Sequence, residues 1–300
     1  MRSARPTPGL GPGSLDAALD RRLVELTAAL GSRGPGPTPI QLRRLEVRGF
    51  AGIGPSVALE LAAGPGLTLV LGPTGAGKSS LVGACERLLL DGPAAYPGHL
   101  HTATLPRVRG LFSLADGRRF ALVREWFAAD AEAEELVLDG DPVPSPADDD
   151  LEAGLEPDPE LGARALALWN ALRDPLHGPV LAGLDPIELE LGDRRHPAAA
   201  LMSTRERDAV RTCVRLAWAL GPSPRGFQLL DEPLVAGEPA ELDRLARVLA
   251  RVAEGARLVV FTADLRLAPA TRRLGVAAEL IELVRRPDRH GLDVIGPRNR

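Results

Sequence analysis

The stretch Leu67-Thr68-Leu69-Val70-Leu71-Gly72-Pro73-Thr74-Gly75-Ala76-Gly77-Lys78-Ser79-Ser80 decides how the rest of the chain is read. A short apolar run suited to a buried strand passes into GxxxxGK[ST], complete at every fixed position, and a helical pattern follows over 79–90. Glycines at these places let backbone N–H groups turn inward around a phosphate, and the helix N-terminus adds about half a positive charge. The pattern predicts a nucleotide-phosphate cradle made of Gly72, Pro73, Thr74, Gly75, Ala76, Gly77, Lys78, Ser79 and Ser80. Lys78 is expected to reach the outer phosphates, and the Ser79 hydroxyl to ligate Mg²⁺. Composition singles out the same position. Of the 36 lysines and arginines, only Lys78 is lysine. A compact ammonium on a flexible stem has been kept there, where a guanidinium fork would not fit.

The other half of such a site is an apolar strand ending in acid. Phe227-Gln228-Leu229-Leu230-Asp231-Glu232-Pro233 supplies it. Asp231 is expected to hold the metal, and Glu232 to position or deprotonate an attacking water. Spacing then separates the classes. Lys78 and Asp231 lie 153 positions apart (231 − 78), far more than in simple GTPases or ring-forming motor ATPases. A guanine-reading Asn-Lys-x-Asp is excluded, because no second lysine exists.

Around these motifs the pattern predicts strands at 42–47, 57–61 and 67–71. A hairpin over 108–114 and 120–127 is expected about Asp116-Gly117, with a third strand at 135–138. Helices are expected at 14–30, 161–172, 203–220 and 238–253, and buried strands at 226–230 and 258–261. Residues 1–39 read as a flexible extension carrying one short helix, either a docking element or a packing appendage.

With those elements placed, the chain resembles the SMC/RecF/RecN group of ABC-type, DNA-maintenance AAA-family ATPases over roughly residues 40–285. Leu45-Glu46-Val47-Arg48-Gly49-Phe50 before the P-loop is similar to that group's opening strand and basic-x-Phe turn. Met202-Ser203-Thr204-Arg205-Glu206 falls on its signature segment, and Leu230-Asp231-Glu232-Pro233 on its second acidic motif. The resemblance implies an α/β P-loop NTPase with an ABC-type two-lobe head at 40–300, combining a mixed antiparallel β lobe with a parallel β core flanked by helices. An acidic insert is expected at about 128–160 and a helical part at 161–220. It further implies Mg-ATP as ligand, hydrolysis with Glu232 and Lys78 as catalytic residues, and metal held by Ser79 and Asp231. Two heads would close on ATP, with Ser203 of one contacting the nucleotide of the other. The implied role is DNA maintenance and repair or antiphage defence, with duplex DNA or a protein effector as partner; the alternative is an ATP-gated regulatory module with little turnover.

The pattern is incomplete. Thr204 and Arg205 replace the signature glycines, Ala263 stands at the switch-histidine position, and Arg107 lies nearest the expected metal-sensing glutamine. Loss of one such contact costs a few kcal/mol of transition-state stabilisation, which predicts slow turnover. About 60 residues between Gly140 and Ala200 leave no room for coiled-coil arms.

Composition bounds the rest. At 45% hydrophobic and 25% charged, with no apolar stretch near 20 residues, the expectation is a cytoplasmic chain that does not span a membrane. Cys85 and Cys213 form no CxxC pair, which argues against structural zinc and for a reducing compartment. The net charge of −4 conceals 14 acids and no base over 125–160, leaving +10 elsewhere, compatible with a nucleic-acid surface. That acidic segment reads as a plain loop, or as a surface that binds a basic partner or repels DNA. His99, His101 and His196 read as solvated or core histidines.

Overall fold

Unbroken burial along an apolar run is the signature of a strand covered on both faces, and β3 (Gly66–Leu71) is such a strand. Val70 faces one hydrophobic cluster, and Leu67, Leu69 and Leu71 face another. The computed structural model describes residues 12–31, 39–54, 56–90, 104–114, 116–128, 131–143, 158–172, 180–184, 187–191, 194–197, 203–221, 225–233, 238–285 and 292–295. In chain order they form α1 (Pro12–Ala29), β1 (Gln41–Arg48), β2 (Val57–Glu60), β3, α2 (Lys78–Leu89), β4 (Arg107–Ser113), β5 (Arg119–Ala128), β6 (Ala131–Leu138) and β7 (Asp141–Val143). There follow α3 (Leu161–Leu172), β8 (Val180–Leu184), β9 (Ile187–Leu191), β10 (Arg194–Pro197), α4 (Thr204–Ala219) and β11 (Phe227–Asp231). Last among the described elements come α5 (Pro239–Ala253), β12 (Arg257–Thr262), α6 (Leu267–Arg273), β13 (Ala278–Arg285) and β14 (Leu292–Ile295).

Three sheets result. The core sheet has five strands in the order β11-β12-β3-β13-β14; the first four are parallel and β14 closes the edge antiparallel. A six-stranded antiparallel sheet, β2-β1-β4-β5-β6-β7, forms the second lobe. α2 packs between the two, with Leu81, Cys85, Leu88 and Leu89 buried among Val70, Phe112, Phe227 and Phe261. On the opposite face of the core sheet, α3, α4, α5 and α6 cover Leu69, Leu230, Leu258 and Val260.

Two segments depart from the sequence expectation. Residues 161–220, expected to be helical, contain between α3 and α4 a three-stranded antiparallel sheet, β10-β9-β8. Its alternation Ile187-Glu188-Leu189-Glu190-Leu191 is the two-residue period of a strand. Of the acidic insert expected at about 128–160, residues 131–138 and 141–143 are the strands β6 and β7, which extend the lobe sheet. Glu134 is not a solvated acid. It pairs with Arg22 at 2.6 Å and with the buried Arg124, whose guanidinium also donates to the Arg87 and Leu90 carbonyls, 2.9 and 2.8 Å away at the C-terminal end of α2. Residues 144–157, His99 and His101, and the side chains of His196, Thr204 and Arg205 lie outside the described residues.

The helix expected at 14–30 runs Pro12–Ala29 and is built into the head. Leu19, Leu23, Leu26 and Leu30 enter the lobe core. Asp16 and Asp20, 0% and 1% exposed, meet Arg225 just ahead of β11 at 2.9 and 2.6 Å. Asp20 also accepts from Trp218 Nε1 of α4 at 2.6 Å, and Asp16 from Gln228 Nε2 at 3.3 Å. The packing reading of this helix is the one the structure favours. Removing one partner of a buried ion pair strands the other in low dielectric. Asp20→Ala is expected to lower unfolding free energy by about 3 kcal/mol in urea titrations, and a loss below about 0.5 kcal/mol would contradict the clasp.

Both cysteines are buried and free. Burial pushes each thiol up to about 12, Cys85 further loaded by the neighbouring Glu86. The folded chain keeps protons that the unfolded chain releases above the ordinary thiol value, so this stabilisation is present below that value and is lost as the pH rises through the folded one. Ellman titration at pH 8 is expected to find no reactive thiol in native protein and 2 in urea.

Candidate nucleotide site

The loop between β3 and α2 is shaped by two left-handed glycines. Gly75 has φ +80° and Gly77, the N-cap of α2, has φ +87°. Side-chain-bearing residues pay about 1–2 kcal/mol for that region. The loop wraps Lys78, which is 5% exposed. Its Nζ donates to the Gly72 carbonyl at 2.8 Å and the Pro73 carbonyl at 3.0 Å. Pro73, Thr74, Gly75 and Ser79 line the open side, while Ala76 is buried.

The acidic motif arrives through sheet order. β12 lies between β3 and β11 and holds both in parallel register, Val260 opposite Leu69 and Leu230 opposite Val260. Three strand ends therefore converge. Glu232 Oε1 stands 3.2 Å from Lys78 Nζ, joining the two motifs across 154 positions (232 − 78). Glu232 has φ +41°, a conformation disfavoured for a side chain this large, and is held in it by neighbours. Its backbone N–H donates to the Phe261 carbonyl at 2.8 Å, its Oε1 accepts from the Ala263 N–H at 2.8 Å, and its Oε2 from the Thr262 hydroxyl at 3.0 Å. Strain fixed by surrounding bonds is characteristic of functional positions.

Asp231 supplies a different clue. Its Oδ1 is buried and has no hydrogen-bond partner. An uncompensated buried carboxylate oxygen is costly unless a cation or water completes it. Among the described residues, no group of three or more His, Cys, Asp or Glu side chains could hold a metal. An ion here would lean on Asp231, the Ser79 hydroxyl and the nucleotide's own phosphates, the oxygen-rich set that Mg²⁺ accepts.

Other expected positions fall differently. The Ser80 hydroxyl accepts from the Gly52 N–H at 3.1 Å, so this side chain ties the turn after β1 to α2. Ser203 caps α4: its hydroxyl accepts from the Glu206 N–H at 3.3 Å, and Glu206 Oε2 takes the Ser203 N–H at 2.8 Å. Among the described residues, no bond joins Ser203 to the P-loop. Arg107 pairs with Glu125 at 3.1 Å, beside Arg44 and Arg109 on the lobe sheet, and makes no described contact with Lys78 or Asp231. Thr262 and the Ala263 backbone, which aim Glu232, were not singled out from the sequence. The switch position shows in the sequence only as Ala263 where the group has histidine, and a backbone donor leaves no mark there.

A family model described as an AAA domain matches residues 40–147, the span from β1 to the end of the lobe sheet. No curated protein matches the sequence. Among solved structures, the SMC head domain from Thermotoga maritima aligns with a TM-score of 0.52 at 16% identity, covering 86% of this chain and 99% of that one. An SMC head bound to the C-winged helix domain of ScpA gives 0.58 at 15%, covering 85% and 97%. An SMC head with an extended coiled coil, bound to the C-terminal domain of ScpA derived from Pyrococcus furiosus, gives 0.56 at 13%, covering 85% and 96%. Among the described residues of this chain no helix exceeds 18 residues, and none is long and apolar enough to cross a membrane.

The loop geometry carries its own test. Gly77→Ala is expected to destabilise the ligand-free protein by about 1–2 kcal/mol, read as a lowered urea midpoint. An unchanged midpoint would contradict the left-handed cap. Two-lobed, with a parallel P-loop sheet, an antiparallel sheet and a helical flank, the chain has the fold of an SMC-type NTPase head without coiled-coil arms among its described residues.

Proposed function

We propose that this chain is a Mg-ATP-binding ATPase head that turns ATP over slowly and closes into a dimer on the nucleotide. The observation that carries the reading is the 3.2 Å approach of Glu232 to Lys78, beside an Asp231 oxygen that lacks a partner. Phosphate oxygens entering the loop compete with the Gly72 and Pro73 carbonyls for the ammonium, and gain by being charged. Gly77 and the first turn of α2 turn N–H groups toward the same anion. Ser79 and Asp231 are the residues that would hold Mg²⁺, whose charge offsets that of the outer phosphates. Glu232, pinned by Thr262 and Ala263, is placed to orient or deprotonate the attacking water.

Slow turnover follows from three substitutions relative to the group: Thr204, Arg205 and Ala263. The capped N-terminus of α4 offers a second head's γ-phosphate a dipole end, so Ser203 is assigned to the nucleotide of the opposite copy. A role in DNA maintenance or antiphage defence, with duplex DNA as partner, is supported by the fold and by the +10 charge outside 125–160. Protein partnership is supported by SMC heads in complex with ScpA domains. The alternative, an ATP-gated module with little turnover, is favoured by Ala263. In that reading α1 cannot be a free docking arm, since its acidic side chains are consumed inside the head.

Phosphate release and light scattering decide between them. Wild type with ATP is expected to release phosphate, faster with duplex DNA, and Glu232→Gln to lose at least about 100-fold while forming an ATP-dependent dimer. Binding without release in wild type would select the gated module. Absence of nucleotide binding would overturn both.

A further inference from the structure

Beside the phosphate loop, on the side away from the acidic motif, stands a cation that no part of the above reaction uses. β13 pairs in parallel with β3 until Glu282 faces Leu71, so the next residues continue alongside the loop itself. A Cβ added to Gly72 would meet Leu283 Cβ at 3.1 Å and the Leu283 carbonyl at 3.2 Å. Two residues on, and therefore on the same face of the strand, Arg285 places Nη1 4.0 Å from where a Cβ on Gly75 would lie. Arg285 is exposed and has no ion pair or side-chain hydrogen bond among the described residues.

We propose that Arg285 is a second phosphate-binding cation of the nucleotide site, reaching over Gly75 to the outer phosphates of the bound triphosphate. The assignment rests on the nucleotide reading given above and adds a residue to it. Charge favours it. Among the described residues Lys78 is the cation paired with Glu232, and with the neighbouring Asp231 the three groups sum to −1 before any metal arrives. Arg285 brings that sum to zero, which lowers the electrostatic barrier to an incoming polyanion. Geometry favours it as well. A guanidinium offers phosphate a planar fork of donors, and an exposed one with no partner among the described residues gives up water to make the contact. The need is also local. With Ala263 in place of the switch histidine, one side-chain donor to the outer phosphates is lost, and Arg285 supplies one from the same chain.

Titration of the full chain with mant-ATP, mant-ADP and mant-AMP in the presence of Mg²⁺, at low and moderate salt, tests this. Arg285→Gln is expected to weaken ATP about tenfold and AMP by less than about twofold, with Arg285→Lys between wild type and Gln. The ligand-free melting temperature is expected to stay unchanged, since the exposed side chain makes no ion pair or side-chain hydrogen bond among the described residues. ATP affinity of Arg285→Gln within about twofold of wild type would overturn the proposal. An equal loss for ATP and AMP would place the guanidinium on base or ribose and overturn it too. If wild type itself fails to bind mant-ATP, the nucleotide reading falls and takes this residue with it. If wild type binds, Lys78→Ala abolishes binding and Arg285→Gln does not weaken it, only the Arg285 assignment falls.

Discussion

A buried ammonium needs oxygen around it, and in this head the oxygen comes from two places that the chain keeps far apart. Lys78 takes two carbonyls from its own loop and one carboxylate from Glu232, 2.8, 3.0 and 3.2 Å away. That junction depends on β12 lying between β3 and β11, and on α2 being wedged between core sheet and lobe sheet. Any shift of β11 against β3 would separate Glu232 from Lys78 and leave the ammonium short of a charge partner. The parallel sheet is in this sense scaffolding for one contact.

The periphery defends the same alignment. α1 reaches β11 through Arg225 and Gln228, α4 through Trp218, and β6 through the Arg22–Glu134 pair. Arg215 of α4 also reaches Glu86 of α2 at 3.3 Å, and burial holds the Glu86 carboxyl above its usual range. These buried charges are costly to desolvate and are each answered by an opposite charge or a donor. They tie the helix carrying the signature segment to the helix that begins at Lys78.

Much of this was legible in the sequence, for physical reasons that differ by element. The P-loop was legible because glycine spacing and a single lysine are chemical requirements that composition cannot hide. The strands flanking it were legible because burial on both faces leaves an unbroken apolar run, as in Leu258-Val259-Val260-Phe261. β13 leaves no clear strand signal: Ala278-Glu279-Leu280-Ile281-Glu282 mixes acid into a core strand, and Glu279 is tolerated because it accepts from Thr68 at 3.0 Å and lies near Arg257. Arg285 stands at the end of that same strand, so it could not be placed against the P-loop before the register was known. Acidity misled at β6, where Glu134 pairs with two arginines from outside its hairpin with β7. The small sheet β8–β10 was hidden by a chain region whose flanking helices dominate the pattern.

A structure of Glu232→Gln crystallised with Mg-ATP tests the central claim most directly. The account predicts the triphosphate wrapped by residues 72–79, Lys78 Nζ moved from the Gly72 and Pro73 carbonyls to phosphate oxygens, and Asp231 Oδ1 facing the metal shell. A loop still closed on its own carbonyls under saturating nucleotide, with Asp231 turned away, would contradict it.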